Sequence, residues 1–267
     1  YTIAFVTDGS ADDRFQSLRK GMEKAAKKWN VDLVVDAPYL SGNAAEQEAA
    51  IEEAVENGAQ AVITVPADQV QMEKFLDQSK LQVPVITLEK ELHSEKKFGA
   101  YIYDSEKSAK KLARAVLEEK KDASVALYAS DVSAKETANC LDILEKELED
   151  GGCTVIRRQY RQGFEIEGEV VVAADPYTFS QIVNLQKIPD RLYGIGCSNK
   201  MLTLLEEGKV CAAVICNEYD KGYLSVEAAM KSIQNGTRQR TVKMEQVLVR
   251  QENLYDKEYE ALLFPIS

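Results

Sequence analysis

Short apolar runs alternate with longer segments whose apolar residues recur every three or four positions. TIAFV (2–6) is continuous and apolar, as a strand covered on both faces should be. From 15 to 29, Phe15, Leu18, Met22, Ala25, Ala26 and Trp29 fall on one helical face. The alternation continues with strands at 31–35, 60–66 and 83–88 and helices at 44–57 and 70–79, with Gly58 placed as a helix stop. A strand at 98–103 and a helix at 106–120 follow. The rhythm then resumes with strands at 124–130, 154–160, 169–175, 191–197 and 210–216, and helices at 133–149, 177–185 and 200–207. A long helix over 219–234 runs into Asn235-Gly236, and a last strand covers 245–251. Asn235-Gly236-Thr237 has the form of a glycosylation sequon but reads as the turn that ends this helix.

Strand–helix alternation of this kind predicts parallel sheets with helices on both faces. The strands are too many for one small sheet, and a break near residue 104 predicts two α/β lobes. Ligands of open α/β sheets bind beyond the carboxyl ends of the strands, so two facing sheets would place a site between them. VPVITLEKELHSEKK (83–97) sharpens this expectation, because a buried strand runs straight into Glu89 and Lys90. Two readings are open for the pair: it projects into the cleft, or it begins a solvated loop. Between 160 and 169, RQGFEIEG cannot supply the crossover helix expected between two parallel strands, so the second lobe is either remodelled there or lacks residues.

Composition narrows the chemistry. Of 267 residues 45% are hydrophobic and 29% charged, ordinary for a globular chain, and the net charge of −11 disfavours nucleic-acid backbones as partners. No apolar run approaches the ~20 residues that cross a bilayer. The chain opens on a core strand without a signal segment, which reads as a trimmed or mature form. Cys140, Cys153, Cys197, Cys211 and Cys216 form no CxxC and read as reduced thiols; Cys211 and Cys216 are expected on opposite strand faces. His93 is the sole histidine, which disfavours a histidine metal site or a Ser-His triad. The acid-rich DGSADD (8–13) lacks EF-hand spacing and reads as a polar loop. No nucleotide-binding or hydrolase signature is present, and no cofactor, metal or enzymatic activity is expected.

Four segments, IAFVTDGSADDRFQSLRKGMEKAAKKWNVDLVV, GAQAVITVPAD, VPVITLEKEL and YIYDSEKSAKKLA, in this order and spacing, resemble the type I periplasmic binding proteins and the ligand-binding cores of Lac-repressor-type regulators. YGIGCSNKMLTLLEEGKVCAAVICNEYDKGYLSVEAAMKSIQNG extends the likeness toward the end of the chain. The resemblance implies two Rossmann-like lobes joined by three crossings, here near 103–105, 217–219 and 248–251. The first lobe would comprise 1–103 with 219–247, and the second 104–218 with 248–267. It further implies that Phe15 stacks on a sugar face (or simply starts the helix core), and that Asp12, Arg14 and Asp104 supply polar contacts. Glu89 and Lys90 fall on the family's Asp-Arg pair, although lysine lacks the planar fork of arginine. Ser108 replaces a usual glycine. In the second lobe Asp175, Ser198 and Asn217 are the implied contacts, with Tyr177 close behind Asp175, while the usual arginine falls on Glu136 or Thr137.

The expectation is an extracytoplasmic solute-binding protein, lipid-anchored at the cell surface or periplasmic. It would hold a small polar ligand, by default a sugar or sugar derivative, for an ABC permease or membrane sensor, and touch the membrane only through an upstream anchor. Two alternatives stand beside it: the effector core of a cytoplasmic Lac-repressor-type regulator, and a degenerate binding fold serving as an interaction module.

Overall fold

The structure is a computed structural model that describes residues 1–9, 15–37, 42–257, 259 and 263. The strands in chain order are β1 (Thr2–Val6), β2 (Asp32–Asp36), β3 (Ala61–Thr64), β4 (Val85–Glu89), β5 (Lys97–Ile102), β6 (Ser124–Ala129), β7 (Thr154–Gln159), β8 (Val170–Ala173), β9 (Leu192–Ile195), β10 (Val210–Cys216), β11 (Thr241–Lys243) and β12 (Gln246–Val249). The helices are α1 (Gln16–Trp29), α2 (Ala44–Glu56), α3 (Gln69–Gln78), α4 (Ser105–Glu119), α5 (Lys135–Asp150), α6 (Pro176–Val183), α7 (Asn199–Glu206) and α8 (Glu218–Asn235). Two six-stranded sheets result, ordered β11-β5-β4-β3-β1-β2 and β12-β10-β9-β8-β6-β7. Every pairing is parallel except β10 with β12. This is the expected two-lobe α/β architecture.

Three chain crossings join the lobes. Two follow β5 and β10, where they were expected. The third lies at Met244–Glu245, because Gln246–Val249 already pairs with β10 in the second sheet. The three residues of β11 have too little apolar signal to announce a strand, yet they extend the first sheet beyond β5. The connection from β7 to β8 contains no helix, as its length required. Its backbone is tied instead to Tyr128, whose hydroxyl donates to Glu167 O and accepts from Glu167 N at 3.1 and 3.0 Å.

The long helix α8 returns to the first lobe and packs on α1. The contact is backbone on backbone: a Cβ at Gly21 would overlap the Tyr219 carbonyl, and one at Gly222 the Leu18 carbonyl. Glycine is required at both points because nothing in the facing helix can yield. At its far end α8 stops where expected, with Gly236 in the left-handed region at φ 63°.

One parity expectation fails. Cys211 and Cys216 pack against the same core rather than opposite ones. A β-bulge between Val210 and Ala212 shifts the register of β10 against β9, and one inserted residue reverses the alternation of faces. The cysteines are free, with Cys140, Cys153 and Cys216 buried and the other two half-buried. Burial, aided by the charge of Asp175, pushes the Cys140 thiol up to about 12, which makes it a poor nucleophile.

Candidate functional site

The carboxyl ends of the strands of both sheets meet in a cavity of about 340 Å³. The first lobe contributes Asp8 beyond β1, Val65 to Asp68 beyond β3, and Glu89 and Lys90 at the end of β4. The second contributes Ser130 to Ser133 beyond β6, Gln159, Asp175 and Tyr177, with Glu136 on the first turn of α5. Tyr103, at the first crossing, lies against both this cavity and a smaller void of about 10 Å³ near Ser198 and Glu218.

Buried hydrogen bonds hold the loops of the first lobe. The Gln47 amide donates to the Thr7 and Val65 carbonyls at 2.7 Å each and accepts from Ala67 N at 2.9 Å. That one side chain fixes the exits of β1 and β3 relative to each other. The exit of β4 is tighter. Lys90 N donates to Leu88 O at 2.7 Å across Glu89, whose φ is +66°. This is a γ-turn of the positive-φ form, which costs a residue with a Cβ about 1–3 kcal/mol. The turn parts the two side chains. Glu89 lies within electrostatic reach of Tyr103 and Lys221 at the hinge, and Lys90 crosses to the other lobe.

There Lys90 Nζ meets Asp131 Oδ2 at 2.8 Å and also donates to Ala67 O at 3.2 Å. The pair is largely enclosed, with side chains 16% and 11% exposed. Burial alone would raise the Asp131 carboxyl, but Lys90 and the hydrogen bonds around it hold it below the usual range. More bridges join the lobes alongside. Gln69 N donates to Asp131 Oδ2 at 3.3 Å, Lys135 N to Gln69 Oε1 at 2.8 Å, Glu91 N to Glu136 Oε1 at 3.0 Å, and Asn199 to Gln16 Oε1 at 3.0 Å. The lobes are thus drawn together over the cavity.

At the hinge Lys221 is fully buried. Its Nζ pairs with Glu218 Oε2 at 2.7 Å and lies 4.5 Å from the centroid of the Tyr103 ring, and the Tyr103 hydroxyl donates to Glu218 Oε1 at 2.7 Å. Burial opposes the ammonium, but Cys216, Glu218 and Glu89 more than offset this and hold its pKa above the ordinary lysine value. The network ties the first crossing, through Tyr103, to the second, through Glu218 and Lys221.

The residues expected at the site divide into several groups. Glu89, Lys90 and Asp175 line the cavity, and Ser198 the small void. Asp12 and Arg14 lie outside the described residues. The Phe15 ring packs edge-to-face on Phe5 at 6.1 Å, within the core rather than along the cavity. Asp104 faces a separate depression behind the hinge with Lys107, Lys111 and Lys243. Asn217 is not among the residues lining these spaces; its side chain accepts from Asp220 N at 2.9 Å. Capping is common to both groups. Asp104, Asp175, Ser198 and Asn217 all start helices and accept from backbone N–H groups there. Asp175 is the most committed, taking hydrogen bonds from Ser130 N, Ser130 Oγ, Thr178 N and Thr178 Oγ1 at 2.7 to 3.2 Å.

Sequence reasoning did not single out Asp131, Ser130, Gln159, Tyr103, Glu218 or Lys221. An aspartate at the carboxyl end of β6 was the available signal for Asp131. Nothing local marked Lys221, which reads as a solvated helix position until α8 is packed against the hinge. Among the described residues no group of three or more His, Cys, Asp and Glu side chains could hold a metal ion. No helix among them is long and apolar enough to cross a membrane.

Comparison with known proteins agrees with this geometry. The family model described as periplasmic binding protein domain matches residues 3–184. No curated protein matches the chain in sequence at a significant level. Solved structures match over nearly the whole fold. A carbohydrate transporter solute-binding protein from Agrobacterium radiobacter, in complex with D-arabinose, superposes with a TM-score of 0.80 at 18% identity over 98% of both chains. GanP, a glucose-galactose binding protein from Geobacillus stearothermophilus, gives 0.80 at 17% identity over 96% of this chain and 99% of its own. An ABC transporter solute-binding protein from Bacillus halodurans with bound myo-inositol gives 0.77 at 17% identity over 97% of both. At these identities the likeness establishes the fold. With a matching family model over more than half its length, and two lobes closing on a cavity, the chain belongs to the periplasmic binding protein domain family.

Proposed function

We propose that this protein captures a small polar solute between its lobes and presents the closed form to an ABC permease or a membrane sensor on the outer side of the membrane. The observation that carries the reading is the cavity of about 340 Å³ at the carboxyl edges of both sheets, with the two lobes bonded to each other across it by the Lys90–Asp131 pair and the Glu91 N–H on Glu136. A solute touching both lobes would favour the closed arrangement by as much as its affinity for closed exceeds that for open. Glu89, Glu136, Ser130 and Tyr177 would face the solute. Lys90 would act chiefly as a latch, since its ammonium is already engaged by Asp131. The names of the structural neighbours make sugars and polyols the first class to test.

The test is a thermal-shift screen over sugars, sugar phosphates, polyols, amino acids and nucleosides. A ligand at 100 times its Kd adds about 2.7 kcal/mol to stability. A stabilising hit that Glu89→Gln weakens would support capture in the cleft. A hit indifferent to every cleft substitution would move the site elsewhere, and no hit at all would favour an interaction module. A helix-turn-helix encoded upstream of Tyr1 would replace the transport role with a regulator's.

A further inference from the structure

We infer that the first lobe docks on a second copy of this chain, with the basic face of α1 in one molecule seated against the acidic end of α2 in the next. The two helices carry opposite charge. α1 holds five cations and one carboxylate, that of Glu23, whereas α2 holds five glutamates and no cation. Within α1, Arg19 pairs with Glu23, and Lys28 is taken up by Tyr223 and Glu227. Lys20, Lys24 and Lys27 are exposed, have no ion pair among the described residues, and form one outward stripe at i, i+4 and i+7. In α2, Glu52, Glu53 and Glu56 are likewise exposed and unpaired among the described residues.

The fold of the lobe does not account for either stripe. Like charges at i, i+4 repel along a helix, and carboxylates in a last turn oppose the helix dipole. Glu52, Glu53 and Glu56 therefore destabilise the end of α2, which has no basic residue in its last turn. The stripes cannot neutralise each other within one molecule. Along β1, Ile3 and Phe5 join the core that holds Leu18 and Met22 of α1, while Ala4 and Val6 join the one that holds Ile51 of α2. The helices thus cover opposite faces of the first sheet, and each copy presents the surface that neutralises its neighbour. Ala45 and Ala49, exposed on α2 ahead of the glutamates, leave room for long lysine side chains to lie across it. At about 0.15 M salt the repulsion between two molecules of net charge −11 is screened beyond about 8 Å, while lysines and glutamates in contact still attract. A contact between unlike patches is heterologous, so it builds a ring or an open chain of copies.

The experiment is sedimentation velocity of the whole protein at about 0.15 M salt over about 0.01–1 mM, the range of a weak, transient contact. The sedimentation coefficient should rise with concentration. Reversing α1 (Lys20→Glu, Lys24→Glu, Lys27→Glu) or α2 (Glu52→Lys, Glu53→Lys, Glu56→Lys) should weaken self-association about 10-fold or more. Mixing the two variants should restore it, because each then offers the charge the other lacks, although both remain net acidic. If a reversal disturbs folding, Glu52→Gln, Glu53→Gln and Glu56→Gln together should weaken association while raising Tm. A monomer at every concentration, a mixture that stays monomeric, or association that survives the glutamine substitutions would overturn the proposal. Loss on reversing α1 but not α2 would also overturn it, and would assign α1 to an acidic partner of another kind.

Discussion

Replacing Lys90 by methionine should open the ligand-free molecule. The Lys90–Asp131 contact at 2.8 Å joins the two lobes, and both side chains are more than four-fifths buried. An exposed ion pair contributes about 0–1 kcal/mol, whereas breaking a buried one costs about 3–5 kcal/mol because a charge is left without its partner. This pair lies between those limits, and Asp131 keeps hydrogen bonds from Gln69 N, Ser133 N and Ala134 N when the lysine is gone. A loss of about 1–3 kcal/mol is therefore expected. It falls on the closed form, since opening separates the partners and returns both to water. The ratio of closed to open should drop by about 5- to 150-fold. Asp131→Asn should act in the same direction, because an amide nitrogen at Oδ2 would face the donors Lys90 Nζ and Gln69 N. Small-angle X-ray scattering of the ligand-free protein reads the change in shape, and the double variant completes a thermodynamic cycle. If Lys90→Met leaves the scattering curve unchanged and the cycle shows coupling below about 0.5 kcal/mol, the pair is not a latch.

Other perturbations separate the remaining links. Gly222→Ala should destabilise the fold by about 3 kcal/mol or more, since the new methyl meets the Leu18 backbone rather than a side chain that can rotate away; chemical denaturation measures it. Lys221→Met should cost about 3–5 kcal/mol by stranding Glu218, and Lys221→Met with Glu218→Gln should recover part of that in the same assay. Glu136 sets a pH dependence. Its carboxyl is raised, so ionisation is penalised in the folded state, and the relative stability of the protein falls as pH rises from about 4.5 through the folded pKa. Glu136→Gln should match the unaltered protein below that window and exceed it above, read as Tm against pH. Asp175→Ala, which removes a cap and four hydrogen bonds, should lower stability by about 1–2 kcal/mol and loosen the start of α6, visible in amide hydrogen exchange.

The elements were legible because each strand had to be apolar on both faces and each helix along one stripe. β10 was expected at 210–216 and is found there, and α8 ends at the Asn235-Gly236 that marked its stop. The helix-free link from β7 to β8 followed from counting residues. Legibility failed where a local rule met a tertiary adjustment. The bulge in β10 put Cys211 and Cys216 on one core, and a bulge has no signature in the pattern of side chains alone. At the strand exits the difficulty was chemical. Asp, Asn and Ser serve equally as ligand contacts and as helix caps, and Asp104, Ser198 and Asn217 are all occupied as caps.

Hydrophobic periodicity by itself therefore determined two parallel-sheet lobes and a site at their facing edges, because burial of apolar surface is decided residue by residue along the chain. It also brought Glu89 and Lys90 to the end of a buried strand. Only the tertiary structure decided what they meet: a γ-turn sends Glu89 toward the hinge and Lys90 across to Asp131, 41 residues away in sequence. Charge pairing across the cavity depends on distances between segments that neither composition nor periodicity specifies, and those distances exist once the two lobes have closed.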